Sequence, residues 1–339
     1  MNLTYNEILD TFNALKKTAV YIENIWKNIE AFFMDCKRFV FIGCGSSYSL
    51  AKSMSVMTFM NTGFQSSAMA AGDILLNAGR YEKCFRNAVI VCVSRSGRTS
   101  EMLMALEELK SRGCTFKVLS LVCADDTPLA EKSNFTLSMP WAFDNSVCQT
   151  RCVTNFYFAA VYIISKLTGN QTVLNDLEHI VNNGPEFIKT AESLSEELSV
   201  HPWTHCVVLA DAELEGLAEE AALAFKEICQ LPSNYYHLMD LRHGPMVLLG
   251  EKTLVLAVLG SKNDLELKLI QDIKKKNSEI ITFSDLPMEQ LSISYGHSLS
   301  YISCGIPFII LCQMIAYKKS LQTGADPDKP SGLEAWIKL

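Results

Sequence analysis

Two short, hydroxyl-rich turns constrain this chain more than any other feature. Gly43-Cys44-Gly45-Ser46-Ser47-Tyr48 leaves one apolar run, and Ser94-Arg95-Ser96-Gly97-Arg98-Thr99-Ser100-Glu101 leaves another about fifty residues later. Each turn stands between a strand-like segment and a segment with helical spacing. A helix entered in this way leaves its first amides without intrahelical acceptors, and small residues with hydroxyls can join those amides around an anion. Strands alternating with helices imply a parallel sheet covered on both faces, and such sheets bind ligands at the carboxyl ends of their strands, where both turns fall. The pair reads as one phosphate-binding site.

The remaining segments follow the same alternation. Residues 4–34 open with Thr4 and Glu7 in capping-box register and read as an amphipathic helix or pair of helices. Strands are predicted at 38–42, 64–69, 88–93, 116–122 and 135–139, with helices at 50–60 and 100–111. A polar segment, 144–151, precedes helices at 153–167 and about 173–198. After Pro202 the series starts again, with strands at 206–210, 254–259 and 280–283 and helices at 213–230, 265–276 and 304–321. The expected fold class is α/β, as two tandem domains, each a doubly wound parallel sheet flanked by helices. The expected boundaries are a helical lead-in 1–30, a first domain 31–168, a helical connector 169–200, a second domain 201–325 and a tail 326–339. In the second copy the corresponding turns are Ala210-Asp211-Ala212-Glu213-Leu214-Glu215 and Gly260-Ser261-Lys262-Asn263. The acidic turn would repel phosphate, so one phosphate site per chain is expected.

Composition removes several functional classes. An apolar content of 49% supplies a sizeable core, and a net charge of -7 argues against a nucleic-acid binder. The twelve cysteines are scattered through strand and helix patterns without a C-x-x-C pair, which fits reduced core thiols in a cytoplasmic protein and neither a zinc site nor a redox motif. The run 302–316 is interrupted by Gly305, Pro307 and Gln313, so no membrane span is expected.

Gly43-x-Gly45 alone is weak evidence for a dinucleotide site, because Tyr48 occupies the place of the third glycine, and there is no lysine to make it a P-loop. Ser46 and Ser47 could equally cap the following helix. In the second turn Ser94, Ser96 and Thr99 surround Gly97, which permits a tight turn, and Arg95 and Arg98 could add charge-assisted bonds. The second half brings different chemistry. Glu227 stands late in an otherwise apolar helix, and Arg242-His243-Gly244-Pro245 follows sixteen residues on. A partly desolvated carboxylate has a raised pKa and suits general-base work, and a histidine held by Gly-Pro can serve as acid or base. Taken singly, Glu227 also fits a solvated helix position and His243 a satisfied turn.

The strand-G-x-G-S-S-Y turn, the S-x-S-G-x-T-x-E turn, and Lys226-Glu227 followed by Arg242-His243-Gly244-Pro245 together resemble the sugar isomerase (SIS) family. The resemblance covers about residues 30–335 and points to the two-domain phosphosugar branch, which includes the isomerase part of glucosamine-6-phosphate synthase and the fructosamino-acid-6-phosphate deglycases. It implies phosphate contacts from Ser46, Ser47, Ser94, Arg95, Ser96 and Thr99, sugar contacts from Gly45, Val147 and Thr150, and catalysis by Glu227 and His243. It further implies a cofactor-free, metal-free enzyme whose partner is a small sugar phosphate, assembled as a homodimer or higher oligomer in which the histidine comes from the neighbouring subunit. Two lysines of the synthase are replaced: Ala224 stands three residues before Glu227, and Glu334-Ala335 follows Pro330-Ser331-Gly332-Leu333, with Lys338 three residues late. With no glutaminase domain ahead of it in this sequence, glutamine-dependent synthesis is not expected. The expected activity is C–N cleavage (deglycase or deaminase) or aldose–ketose isomerisation of a 6-phosphorylated amino sugar or ketosamine. The alternative is a non-catalytic sugar-phosphate-binding regulatory protein.

Overall fold

The computed structural model describes residues 2–34, 36–260, 263–284, 292–293, 298–337 and 339. Three helices lead in: α1 (Leu3–Leu9), α2 (Thr11–Asn24) and α3 (Trp26–Phe33). The first half then runs β1 (Arg38–Gly43), α4 (Ser46–Thr62), β2 (Gln65–Ala70), α5 (Ala71–Phe85), β3 (Ala88–Ser94), α6 (Ser100–Ser111), β4 (Phe116–Val122), α7 (Pro128–Glu131) and β5 (Phe135–Ser138). Two long helices follow, α8 (Arg151–Thr168) and α9 (Gln171–Ser199). The second half runs β6 (His205–Leu209), α10 (Glu215–Ile228), β7 (Ser233–Tyr236), β8 (Thr253–Val258), α11 (Asp264–Lys274), β9 (Glu279–Phe283), β10 (Ser292–Ile293) and α12 (Tyr301–Thr323).

Each half holds a five-stranded sheet whose strand pairs are all parallel. The order β2-β1-β3-β4-β5 in the first is repeated as β7-β6-β8-β9-β10 in the second. The chain therefore reverses its direction of winding beside β1 and again beside β6, and a crevice opens at the carboxyl ends there. Alternating residues of each strand bury on opposite faces. Phe39 and Phe41 of β1 face the interior layer, whereas Val40 and Ile42 pack beneath Ile74 and Leu106 on the outer side. Strands covered on both faces read as continuous apolar runs, which is why the central strands were legible. Two strands carried no such signal: β7 is a short, half-exposed edge strand, and β10 has two residues. Helix α5, kinked at Asn77, is amphipathic and was not among the helices expected from the sequence.

The capping box expected at Thr4 and Glu7 does not form. The Asn2 side chain caps α1, accepting from the Tyr5 amide, while the Thr4 hydroxyl donates to the Pro327 carbonyl and Glu7 accepts the amides of Asn145 and Ser146. Tertiary partners outbid the local motif, and the first helix is thereby tied both to the polar segment and to the tail.

The inner faces of the two sheets share one apolar cluster with α4, α8, α10 and α12, including Val91, Tyr157, Val208, Phe225 and Ile309. Helix α12 runs through Gly305 and Pro307 without a break and is long and apolar enough, by length and composition, to cross a membrane. The interruptions at Gly305, Pro307 and Gln313 therefore do not keep the apolar run short of spanning length. Of its most apolar window 89% is buried inside the fold, which makes it a core helix apolar on all sides.

Helix α10 lies along α4 in the opposite direction. The Leu217 amide donates to Ser53 Oγ at 2.9 Å, Lys52 pairs with Glu219 at 2.8 Å, and Gly216 lies so close that a Cβ there would fall 2.1 Å from the Ser49 carbonyl oxygen. The backbones must separate to admit any side chain. Gly216→Val is expected to lower stability in urea unfolding by about 2 kcal/mol or more, the scale of overpacking. A loss below about 0.5 kcal/mol would show that the crossing is not tight.

Candidate active site

Antiparallel packing of α10 on α4 carries the far end of α10 past the first turn of α4. Gly45 precedes that turn with φ +52°, and Ser46 and Ser47 begin the helix, both buried. The β3–α6 turn lies beside it. Gly97 has φ +61°, and a Cβ there would fall 2.5 Å from Thr127 Oγ1, so the turn closes only around glycine. The Ser94 hydroxyl accepts the Gly97 amide at 3.1 Å and lies 3.5 Å from the Thr99 hydroxyl, and Ser96 accepts the Arg98 amide at 3.2 Å. Ser94, Ser96 and Thr99, with Gly45, Ser46 and Ser47, line one cavity of about 160 Å³. Its floor is a set of neutral donors at two helix N-termini, an arrangement suited to a phosphate dianion.

Glu227, near the end of α10, lines the same cavity, as does Val147. Burial pushes the Glu227 carboxyl up to about 7, against the opposing charges of Arg95 and Lys226. A base that titrates there is half deprotonated near neutrality. Two turns earlier, Glu220 is 1% exposed with one carboxyl oxygen lacking a partner among the described residues, and burial together with the Glu227 charge pushes its carboxyl well above the usual range. The neighbouring Ser46 hydroxyl tempers that rise, which puts the first turn of α4 beside this part of α10. Cys44 also lines the cavity, but burial and the neighbouring Glu101 push its thiol up to about 12, which leaves no thiolate for chemistry.

Residues 32–159 match the family model described as SIS domain. The chain carries a SIS domain. The glutamine–fructose-6-phosphate aminotransferase (isomerizing) of Methanothermobacter thermautotrophicus is 23% identical over 313 residues, covering 88% of this chain and 51% of that protein. The Escherichia coli protein of the same name is 24% identical, covering 96% of this chain and 57% of its own. The chain thus spans about half the length of the curated relatives it matches. Among solved structures, glucosamine-6-phosphate deaminase from Thermotoga maritima aligns over the whole of both chains with a TM-score of 0.83 and 26% identity. Tagatose-6-phosphate ketose/aldose isomerase from Escherichia coli aligns over 98% of this chain and 96% of its own, with a TM-score of 0.85 and 19% identity.

Both hydroxyl turns lie within the SIS domain, and Glu227 approaches it from the second half. Of the contact and catalytic residues that the family resemblance implied, two fall outside the cavity. Thr150 is fully buried behind its wall, where its amide donates to Asp144 and its carbonyl accepts from Gln313; Gln149 lines the cavity instead. His243 ends a 3-10 turn (Met239–His243) and is exposed to solvent. Arg95 lines the cavity, but its terminal nitrogens donate to the carbonyls of Ser146 at 2.8 Å and Ala335 at 2.7 Å. Arg98 turns away to the Asp126 carbonyl. The sequence reading missed Glu101, Gln149 and the tail residues 335–337 as lining; the Pro330 to Leu333 segment was the signal that pointed to the tail. Lys338 lies outside the described residues. In the second sheet, the turn after β6 directs Asp211 to the Leu238 amide and His237. Among the described residues no group of three His, Cys, Asp or Glu could hold a metal ion.

Proposed function

We propose that the protein is an enzyme acting on a 6-phosphorylated amino sugar or ketosamine, with C–N cleavage favoured over aldose–ketose isomerisation. The observation that carries this reading is the presence, in one cavity, of a neutral-donor phosphate cradle and a carboxyl poised near pH 7. Ser46, Ser47, Ser94, Ser96 and Thr99 would hold the phosphate and fix the sugar chain, with Gly45 and Val147 against it. Glu227 would take a proton from the carbon beside the carbonyl or iminium and return it to the adjacent carbon or the developing product. Ala224 leaves the face of α10 before Glu227 without a cation, which favours a substrate that brings its own amine.

The repeated strand order supports reading the second half, 201–325, as a second SIS copy after a first copy at 31–168, with 1–30, 169–200 and 326–339 as lead-in, connector and tail. His243 is assigned to the active site of a second subunit. It is exposed, and Val247 (82% exposed) and Leu248 (53%) stand beside it as an apolar surface that a homodimer would cover. The similarity to enzymes named for deamination and for ketose/aldose isomerisation of sugar phosphates agrees with either reaction.

A panel of fructosamine 6-phosphates and hexosamine 6-phosphates, assayed for released amine and for hexose phosphate, tests the reading. Amine release with at least one member is expected. Exchange of aldose and ketose without amine release would move the assignment to isomerase, and tight binding with no turnover of any member would make the chain a regulatory sugar-phosphate binder.

A further inference from the structure

We propose that Arg95 is a positioning residue that braces the C-terminal segment 333–337 against the 144–149 wall, and that it affects ligand binding through that closure and not by gripping the phosphate. The inference rests on reading this cavity as an anion site, and it differs from the phosphate contact that the family resemblance implied. Arg95 is 3% exposed although it carries a full charge. Its Nη1 donates to the Ser146 carbonyl at 2.8 Å and its Nη2 to the Ala335 carbonyl at 2.7 Å, while the Phe143 ring lies 5.8 Å from the guanidinium carbon. One planar fork thus spans two segments 189 positions apart in sequence, Ser146 and Ala335.

Both braced segments are anchored from behind. The Asn145 and Ser146 amides donate to Glu7 of α1 at 2.6 and 3.2 Å. The tail is held at Asp328, whose carboxylate accepts the Leu3 and Thr4 amides at 2.8 Å each and whose carbonyl accepts the Val147 amide at 3.0 Å. Beyond Ala335 the segment crosses the first turn of α6, where the Ser100 amide donates to the Ile337 carbonyl at 3.5 Å. Leu333, Glu334, Ala335, Trp336 and Ile337 all line the cavity, so this segment forms one of its walls. Backbone carbonyls cannot be altered by substitution, and the arginine is the removable half of the brace. Its Nε has no partner among the described residues, so a direct ligand contact is the competing role that the test must separate.

The test uses the full-length chain and a chain ending at Leu333, each with native Arg95, Arg95→Gln and Arg95→Lys. Hydrogen exchange of the C-terminal peptide reads the brace without any ligand, and calorimetric titration with inorganic phosphate reads the cavity. In the full-length chain Arg95→Gln is expected to speed exchange of the tail amides on the order of tenfold, with the α6 and α10 peptides unchanged, and to weaken phosphate binding several-fold. Arg95→Lys keeps the charge but loses the planar fork, so it should free the tail to a similar degree; it also serves where Arg95→Gln does not fold. In the shortened chain neither substitution should weaken phosphate binding further, because the wall through which Arg95 acts is gone. Tail exchange unchanged in both variants overturns the proposal. Equal weakening in the full-length and shortened chains also overturns it, and makes Arg95 a direct phosphate ligand. If the unsubstituted chain binds no phosphate while tail exchange still responds to Arg95, the brace stands and the anion-site reading fails.

Discussion

Glu227→Gln is expected to reduce turnover of a responsive sugar phosphate by about 10² to 10⁴-fold, with little change in substrate binding. Glutamine is nearly the same size and keeps a hydrogen-bonding oxygen, so the cavity is preserved and the base alone is lost. The pH dependence follows from the same carboxyl. Turnover by the unsubstituted protein should rise with pH through about 7 as Glu227 loses its proton. Stability runs the other way. Between its ordinary value of 4.5 and about 7 the folded chain keeps a proton that the unfolded chain has released, so the fold loses stability as pH rises through that window. Glu227→Gln should remove that slope and leave the protein more stable than the parent above pH 7, measured by urea unfolding at several pH values. A variant with unimpaired turnover would end the assignment of Glu227 as base.

The assignment of His243 to a neighbouring subunit can be tested with the same variant. Glu227→Gln and His243→Ala chains, each inactive alone, should recover about a quarter of the parent activity after unfolding and refolding together, because a mixed dimer with shared sites contains one intact site. No recovery from two inactive chains would place His243 within its own subunit's site, and full activity of His243→Ala alone would place it outside the reaction.

Removing two hydroxyls from the second turn is the other large effect. Ser94→Ala combined with Thr99→Ala is expected to weaken binding of a sugar phosphate by about 10² to 10³-fold, taking hydrogen bonds to a charged group at about 1.5–3 kcal/mol each and allowing for partial replacement by water. The Ser94 hydroxyl also accepts the Gly97 amide, so its loss loosens the turn itself. Thr99 precedes α6 without capping it through its side chain, so Thr99→Ala alone should leave stability nearly unchanged. Titration calorimetry with a sugar phosphate and, separately, with the matching unphosphorylated sugar separates the two. If both ligands weaken equally, the hydroxyls do not hold the phosphate.

The sequence by itself determined the alternation of strands and helices, the two turns at strand ends, and the chemistry that Ser94, Ser96, Thr99 and Glu227 could perform. These are local properties: burial on both faces makes β1, β3 and β4 continuous apolar runs, and a turn that needs φ above zero calls for Gly97. A short, half-exposed edge strand such as β7 left no comparable trace. Only the tertiary structure decided which of the candidate residues meet. Glu227 reaches the serine turns because α10 slides along α4 at Gly216, a contact between segments more than 160 positions apart. Arg95 looked like a phosphate ligand in sequence, but packing delivers it to the carbonyls of Ser146 and Ala335. Thr150 is turned into the core by Asp144 and Gln313, and His243 is left facing solvent. Hydrogen-bond partners distant along the chain carry no sequence signature of their own, because any backbone carbonyl can accept, and so the cavity's walls become visible only once the chain is folded.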